Sequence, residues 1–154
     1  LIMAGAGIGA RDARSDALVE LVDLYPTLCS VAGLPQPAHL EGTSCAALFE
    51  DPQRPWRAAV RSQFPRPLRS SMPHVEPQPG DLMGRSIRTD RYRLVEWQHV
   101  LEPERVEAVE LYDHRVDPGE THNLALDAEY ADRVTELRAL LHAGWRADVP
   151  KERN

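Results

Sequence analysis

The sequence predicts the tail of an α/β domain joined through a proline-rich segment to a small α+β module. Three observations carry that prediction. The first fifty residues hold a short apolar start and a capped amphipathic helix. Five prolines then fall between Pro65 and Gly80. Beyond them, strand-like alternation is followed by a helical apolar stripe near the C-terminal end.

Leu1-Ile2-Met3-Ala4, ahead of Gly5 and Gly7, reads as a buried strand entered part-way and then a loop. It lacks the basic start and the longer apolar run of a signal peptide, so the chain is expected to be the C-terminal part of something larger. Leu18–Val22 fits a short strand or an early helical turn. Asp23 is placed to cap the next turn, and Pro26 falls at N3, where a missing N–H costs nothing. Tyr25, Leu28, Cys29 and Ala32, at i, i+3, i+4 and i+7, predict one buried stripe. Gly33 supplies the left-handed position after the helix.

Asp51–Pro55 is a turn-rich break, and Ala58–Phe64 has the character of a strand. The prolines of 65–80 exclude a helix or a central strand and give a linker with polyproline character. The expected organisation is 1–66 as the tail of the core, 67–80 as the linker and 81–154 as the C-terminal subdomain. In that subdomain Arg85–Thr89 and Tyr92–Trp97 flank Asp90-Arg91 as a hairpin. Val106–Tyr112 is a third strand, and Asp117-Pro118-Gly119-Glu120 a turn. Asp127 is expected to cap a helix of about five turns whose stripe is Tyr130, Val134, Leu137, Leu141 and Trp145. That stripe needs an apolar partner, and the small sheet is the obvious one.

Composition excludes several classes. With 154 residues, 42% hydrophobic and 27% charged, the chain is about one domain's worth and can bury a core. A formal net charge of −6 argues against a generic nucleic-acid binder. No apolar run approaches the ~20 residues of a membrane span. Lys151 is the only lysine against 17 arginines, which reads as genome base composition. Cys29 and Cys45 are too few for a disulfide scaffold or a four-cysteine zinc site.

Several constellations invite chemistry. In the expected hairpin register Ile87 faces Leu94, Arg85 faces Glu96, and Arg88 faces Arg93. Two guanidinium groups directly opposed destabilise a sheet, so an anion belongs beside them. A protein carboxylate (Asp113, Asp117 or Glu120) satisfies that need. So does a carboxylated or sulfated ligand gripped by the guanidinium forks. Asp113, His114, Asp117 and His122 could be a metal cluster, but Asp117 before Pro-Gly suits a turn better. His39, His74, His99 and His142 read as loop or solvated residues. Cys29 reads as a small core residue, and neither cysteine has local features that lower its pKa. Gln63 and Arg66 end a strand in a rigid loop, a place where α/β proteins gather ligands. A strand end with solvated side chains explains them equally well.

Four segments carry a resemblance. Leu21-Val22-Asp23-Leu24-Tyr25-Pro26-Thr27-Leu28, ending in Val31-Ala32-Gly33-Leu34-Pro35, is similar to the sulfatase "V-D-L-x-P-T-L…A-G-L" helix. Leu40-Glu41-Gly42-Thr43-Ser44 resembles the "D-G-x-S-L" segment, with Glu for Asp and Cys45 for Leu. Ser86-Ile87-Arg88-Thr89-Asp90-Arg91-Tyr92-Arg93 resembles "R-T-x-x-Y-K/R". Leu111-Tyr112-Asp113, Asp117-Pro118-Gly119-Glu120 and Asn123-Leu124 match "L-Y-D…D-P-x-E-x-x-N-L". Four motifs in order over residues 15–125 are specific, and the chain is identified as a member of the sulfatase family in the alkaline-phosphatase-like superfamily. Ser62–Pro67 and Met83–Arg88 most resemble its iduronate-2-sulfatase branch.

The resemblance implies the end of an alkaline-phosphatase-like α/β core followed by a small α+β subdomain with an antiparallel sheet and a C-terminal helix. It implies a sulfuric-ester hydrolase acting on sulfated sugars, glycosaminoglycans among them. In such enzymes a formylglycine, made from the cysteine of C-x-P/S-x-R, attacks sulfur beside a bound calcium ion. Neither Cys29 nor Cys45 is followed by that pattern, and the family's calcium ligands and catalytic residues precede this region. No catalytic or metal residue carries over, and these residues alone are expected to be inactive. The implied partners are the missing N-terminal catalytic portion of the same protein and a sulfated sugar, recognised by Gln63, Arg66, Arg88 and Arg93. Two other readings are a fragment of a related phosphodiesterase or phosphonate hydrolase, and a non-catalytic truncated binding module. The compartment, periplasmic or secreted against cytoplasmic, is not readable.

Overall fold

The computed structural model describes residues 1–5, 8–66 and 76–148. Most of the proline-rich linker therefore lies outside the described residues. Two units are distinguished, Leu1–Ala58 and Ala59–Ala147, and each is described by itself.

The first unit is organised around a buried aspartate. A 3-10 turn at Leu21–Asp23 leads into helix α1, Leu24–Val31, so the 18–22 segment ends as a helical turn. Asp23 does not cap the turn that follows it. Its Oδ2 accepts the Glu20 N–H at 2.8 Å, and its Oδ1 accepts the Thr43 N–H at 2.8 Å and the Arg57 guanidinium at 3.0 Å. Arg57 also reaches Glu20 at 2.7 Å, and the Arg57 side chain is almost fully enclosed. Thr27 Oγ1 donates to the Asp23 carbonyl and accepts the Cys45 N–H at 2.9 Å, which ties the 40s loop to the helix. Gly42 packs so closely that a Cβ there would lie 2.0 Å from the Val22 carbonyl oxygen. Gly33, at φ +66°, supplies the left-handed exit.

The expected buried stripe of α1 is not what the structure buries. Pro26, Thr27 and Cys29 face inward with Asp23, while Tyr25 and Leu28 are exposed. The hydrogen bonds of Asp23 and Thr27 outweigh apolar periodicity in orienting this helix, because a buried carboxylate must keep all its partners. Leu1 and Ile2 are exposed and join no strand ladder, where a buried strand was expected.

The second unit is one antiparallel sheet, order β1-β2-β3-β4, made of Ala59–Arg66, Leu82–Thr89, Tyr92–His99 and Val106–Asp113. The Asp90-Arg91 hairpin has the expected register, with Ile87 opposite Leu94 and Arg88 opposite Arg93. Strand β1 runs through Arg66 and pairs with β2, so the segment assigned to the core tail is an edge of this sheet. Pro65 is compatible with that edge because one side of the strand needs no ladder N–H. A bulge at Trp97/Gln98 offsets β3 against β4. Helix α2, Ala131–His142, is shorter than expected. A 3-10 turn precedes it, Asp127 makes no side-chain cap bond, and Gly144 at φ +83° ends it before Trp145.

The core is the row Ile87–Leu94–Leu111 at no measurable exposure, with Ala59 and Tyr92, covered by Leu137 and Leu141 of α2. Tyr130 and Val134 complete the helix stripe, and Arg61 donates to the Leu140 carbonyl at 2.6 Å near the helix C-terminus. Glu96 is buried on this same side. It accepts from Arg138 at 2.7 Å, from Gln98, and contacts His142 Nε2 at 3.1 Å. Arg85 stands opposite Glu96 as expected, but the carboxylate bonds to Arg138, Gln98 and His142, because the helix lays its cations directly over it. Burial pushes the Glu96 carboxyl up, but the bonds from Arg138, Gln98 and His142 together hold it below the ordinary range. At the other end of β4, Asp113 takes a forked pair from Arg91 at 2.6–3.0 Å, and that bonding keeps its carboxyl low against its burial.

Two outcomes follow from these buried carboxylates. Asp23→Ala removes one of the two carboxylates on the enclosed Arg57 and leaves the Glu20 and Thr43 N–H groups without their acceptor, and is expected to cost about 3–5 kcal/mol, read as a lowered urea midpoint at constant slope. Glu96 and Asp113 both have depressed folded-state pKa values, so the unfolded chain binds more protons in acid. Their contribution is complete above about pH 5 and is lost as pH falls through and below the ordinary carboxylate range. Glu96→Gln should flatten the acid limb of a stability–pH profile; an unchanged limb would assign the acid sensitivity elsewhere.

Candidate functional site

Alternation along the strands sorts the sheet into two faces. The row Ile87–Leu94–Leu111 lies under α2, so their immediate neighbours lie on the opposite, open face. That face carries Ser62 and Arg66 from β1, Ser86 and Arg88 from β2, Arg93 and Trp97 from β3, and Glu110 and Tyr112 from β4. Gln63, Arg66, Arg88 and Arg93 were expected to act together. The structure brings the three arginines to one face, whereas Gln63 is one step out of phase with Arg66 and lies on the helix side.

The open face is polar, cationic and aromatic. Ser62 and Ser86 share a hydroxyl–hydroxyl bond of 2.8 Å. The Trp97 indole N–H donates to Glu110 at 2.9 Å, and the Arg66 guanidinium lies 5.6 Å from the centre of the Trp97 ring. Gly84 is required beneath that ring, since a Cβ there would sit 2.8 Å from it. Arg93 lies 5.5 Å from the centre of the Tyr112 ring. Burial, then the neighbouring Glu110 carboxylate, push the Tyr112 phenol up. These aromatic and serine partners were not singled out from sequence, although the register that joins them was already readable there.

The like-charged pair receives one carboxylate. Glu120 bonds to Arg93 through Oε2 and to His114 Nε2 through Oε1 at 2.6 Å. It does so from a left-handed backbone position, φ +55°, an unusual place for a residue with a long side chain. Asp113 is committed to Arg91. Asp117 is committed to its own turn, accepting the Thr121 and His122 N–H groups at 2.7 and 2.9 Å. Those backbone donors, that of His122 first, hold Asp117 below the usual range. Arg88 gains no hydrogen bond from these acids, and its Nη1 is buried without a partner. Burial pushes the Arg88 guanidinium down, against the pull of Glu120 and Asp90. An unpaired buried donor on a cation favours any anion that reaches it.

Among the described residues no group of three or more His, Cys, Asp or Glu is placed to hold a metal ion. Cys29 and Cys45 are both buried, and Cys45 lies 3.2 Å from Thr27 Oγ1. The donor sets among the described residues do not fit calcium, and neither cysteine is followed by C-x-P/S-x-R. No helix among the described residues is long and apolar enough to cross a membrane.

The mixed fold, with its four-stranded antiparallel sheet and C-terminal helix, is shared with sulfatases of the alkaline-phosphatase-like fold. Residues 2–145 match the family described as N-sulphoglucosamine sulphohydrolase, C-terminal, and the chain belongs to the sulfatase family through this domain. It is 36% identical over 143 residues to the Δ4,5-hexuronate-2-O-sulfatase of Bacteroides thetaiotaomicron, covering 91% of this chain and 27% of that protein. It is 33% identical over 150 residues to human iduronate 2-sulfatase, covering 77% and 27%. The solved structure of a 2-O GAG sulfatase superimposes with a TM-score of 0.69 at 33% identity, covering 91% and 28%. The chain therefore spans about a quarter of the length of these relatives.

The Arg93–Glu120 link makes a prediction. Glu120→Gln should lower stability by about 1–3 kcal/mol by leaving Arg88 and Arg93 uncompensated. Sodium sulfate should then restore more stability to the variant than it adds to the parent chain. Equal gains in both would show that the face does not seek an anion.

Proposed function

We propose that this chain is the C-terminal portion of a sulfatase acting on 2-O-sulfated hexuronate sugars, and that Arg66, Arg88 and Arg93 on the open sheet face help to recognise the acidic sugar. The observation that carries the site is the opposed Arg88–Arg93 pair, served by one carboxylate and left with a buried, unpartnered Nη1. Guanidinium groups suit this work because their planar donors match carboxylate and sulfate oxygens. Trp97 beside Arg66 adds an aromatic surface of the kind that a sugar ring can cover. The substrate class is supported by the hexuronate and iduronate 2-sulfatases among the relatives.

In this reading the formylglycine nucleophile and the calcium ligands lie in a preceding portion. The matched family region is the C-terminal one, and it fills about a quarter of the relatives' length. No bond-breaking step is assigned to the residues of this chain, which contribute positioning of the substrate.

Two measurements test the proposal. The reading frame ahead of Leu1 should encode C-x-P/S-x-R with an Asp-Asp pair before it. A threonine or serine in the nucleophile position would move the reading to phosphoester or phosphonate chemistry. In the full-length enzyme, Arg88→Ala should raise KM for a uronate-2-sulfate by roughly 10- to 100-fold. The KM for a neutral aryl sulfate should change little; equal effects on both substrates would make Arg88 a structural residue.

A further inference from the structure

Phe64 extends the open sheet face away from the Arg88–Arg93 pair. Alternation along β1 puts it on the side of Ser62 and Arg66, and it is 68% exposed. Its row across the sheet is Phe64, Gly84 and Trp97. The Trp97 indole lies along that row. Its N–H edge bonds Glu110 of β4 at 2.9 Å, and its six-membered ring lies over Gly84, where a Cβ would sit 2.8 Å from Cζ3. Glycine at position 84 thus lets the indole lie across β2, toward Phe64. The Arg66 guanidinium stands 5.6 Å from the indole ring centre. One end of the open face is therefore aromatic, with a cation beside it.

The Arg88–Arg93 row is the other end. Along each strand it is four residues from the Gly84–Trp97 row, about 13 Å at 3.3 Å per residue. Between the two rows the side chains on β1 and β2 are short. Ser62 stands opposite Ser86, and their hydroxyls share a bond of 2.8 Å. A hydroxyl both donates and accepts, so the shared bond leaves capacity for a ligand hydroxyl. The face thus has a low hydroxyl floor between a cationic row and an aromatic row. One sugar ring held at Arg88–Arg93 does not reach the Phe64 row, whereas a second ring linked to it does. An aromatic row suits the C–H face of that ring, the serines suit its hydroxyls, and Arg66 suits a carboxylate or sulfate on it. We propose that Ser62, Ser86, Phe64 and Trp97, with Arg66, form a second subsite that holds the sugar linked to the sulfated hexuronate. The substrate is then an acidic oligosaccharide and not a free monosaccharide. This inference rests on the proposed function and extends it.

The test compares chain lengths in the full-length enzyme. The substrates are a 2-O-sulfated hexuronate monosaccharide and a disaccharide that links it to a sulfated hexosamine. Phe64→Ala should raise KM for the disaccharide roughly tenfold, and KM for the monosaccharide less than about twofold. Equal rises on both substrates, or no rise on the disaccharide, overturn the proposal. Ser62→Ala, also at an exposed position, repeats the comparison if Phe64→Ala impairs folding, and the same selective rise is expected. Calorimetric binding of the desulfated disaccharide gives a readout independent of turnover. Its Kd should rise about tenfold in Phe64→Ala; an unchanged Kd overturns the subsite. These measurements also separate the two claims. A parent enzyme that hydrolyses the 2-O-sulfate, with a Phe64→Ala variant blind to chain length, sinks only the second subsite. A parent that is inert toward the sulfate ester, yet binds the disaccharide through Phe64, keeps the subsite and sinks only the proposed reaction.

Discussion

The row Ile87–Leu94–Leu111 is the constraint on which the second unit depends. Three branched apolar side chains lie side by side across β2, β3 and β4, wholly buried beneath Leu137 and Leu141. Because strand side chains alternate, seating that row against the helix sends the next residue of every strand to the other face. The Asp90-Arg91 turn sets Arg88 opposite Arg93, and the buried row sends both to the open face. The unfavourable pair is a consequence of burying its neighbours, and the apolar row is energetically dominant: three fully buried aliphatic side chains are worth about 5–9 kcal/mol on area grounds. An opposed pair of partly exposed like charges costs on the order of 1 kcal/mol. The fold can therefore sustain a concentrated positive site, with Glu120 offsetting part of it.

Buried carboxylates supply the second organising principle, one kind in each unit. Asp23 holds a turn, a loop and Arg57 together in the first. Glu96 and Asp113 fasten the helix and the hairpin loop to the sheet in the second. Each is enclosed, and each is satisfied by several donors rather than by one ion pair. A single surface ion pair would contribute little. An enclosed carboxylate whose donors come from distant points of the chain specifies one arrangement of those points, since any other leaves it short of partners.

Legibility in the sequence followed the same division. Strand alternation and the Asp90-Arg91 turn are local signals, so the hairpin register and the Arg88–Arg93 opposition were readable residue by residue. The stripe Tyr130, Val134, Leu137, Leu141 was readable too, up to Gly144, where a left-handed residue stops the helix before Trp145. Helix α1 was misjudged because periodicity weighs only apolarity, and the groups that orient this helix are an aspartate and a threonine bonded to Thr43, Arg57 and Cys45. Those partners are 18 to 34 residues away and have no local signature. Strand β1 is read from sequence as a strand but not as a member of this sheet for a related reason: Pro65 and Pro67 mark a break, yet an edge strand tolerates the missing donor. Of the four residues singled out for ligand contact, three share the open face, and Gln63 fell on the other once the register of β1 was known.

A helix with a polar, fully bonded inner side and an apolar outer side is inconsistent as part of a self-sufficient domain, and minimal frustration makes such a conflict informative. The second unit shows no comparable conflict at its core, where every member of the helix stripe from Tyr130 to Leu141 packs on the sheet. The conflict is thus local to the first unit. The second unit carries its own core, and on its open face Arg88 Nη1 and Arg93 Nε are buried without a partner. The first unit turns an apolar helix side to its surface and the second a cationic sheet face. In the proposed function, a sulfated acidic sugar would bring its anionic groups to that cationic face.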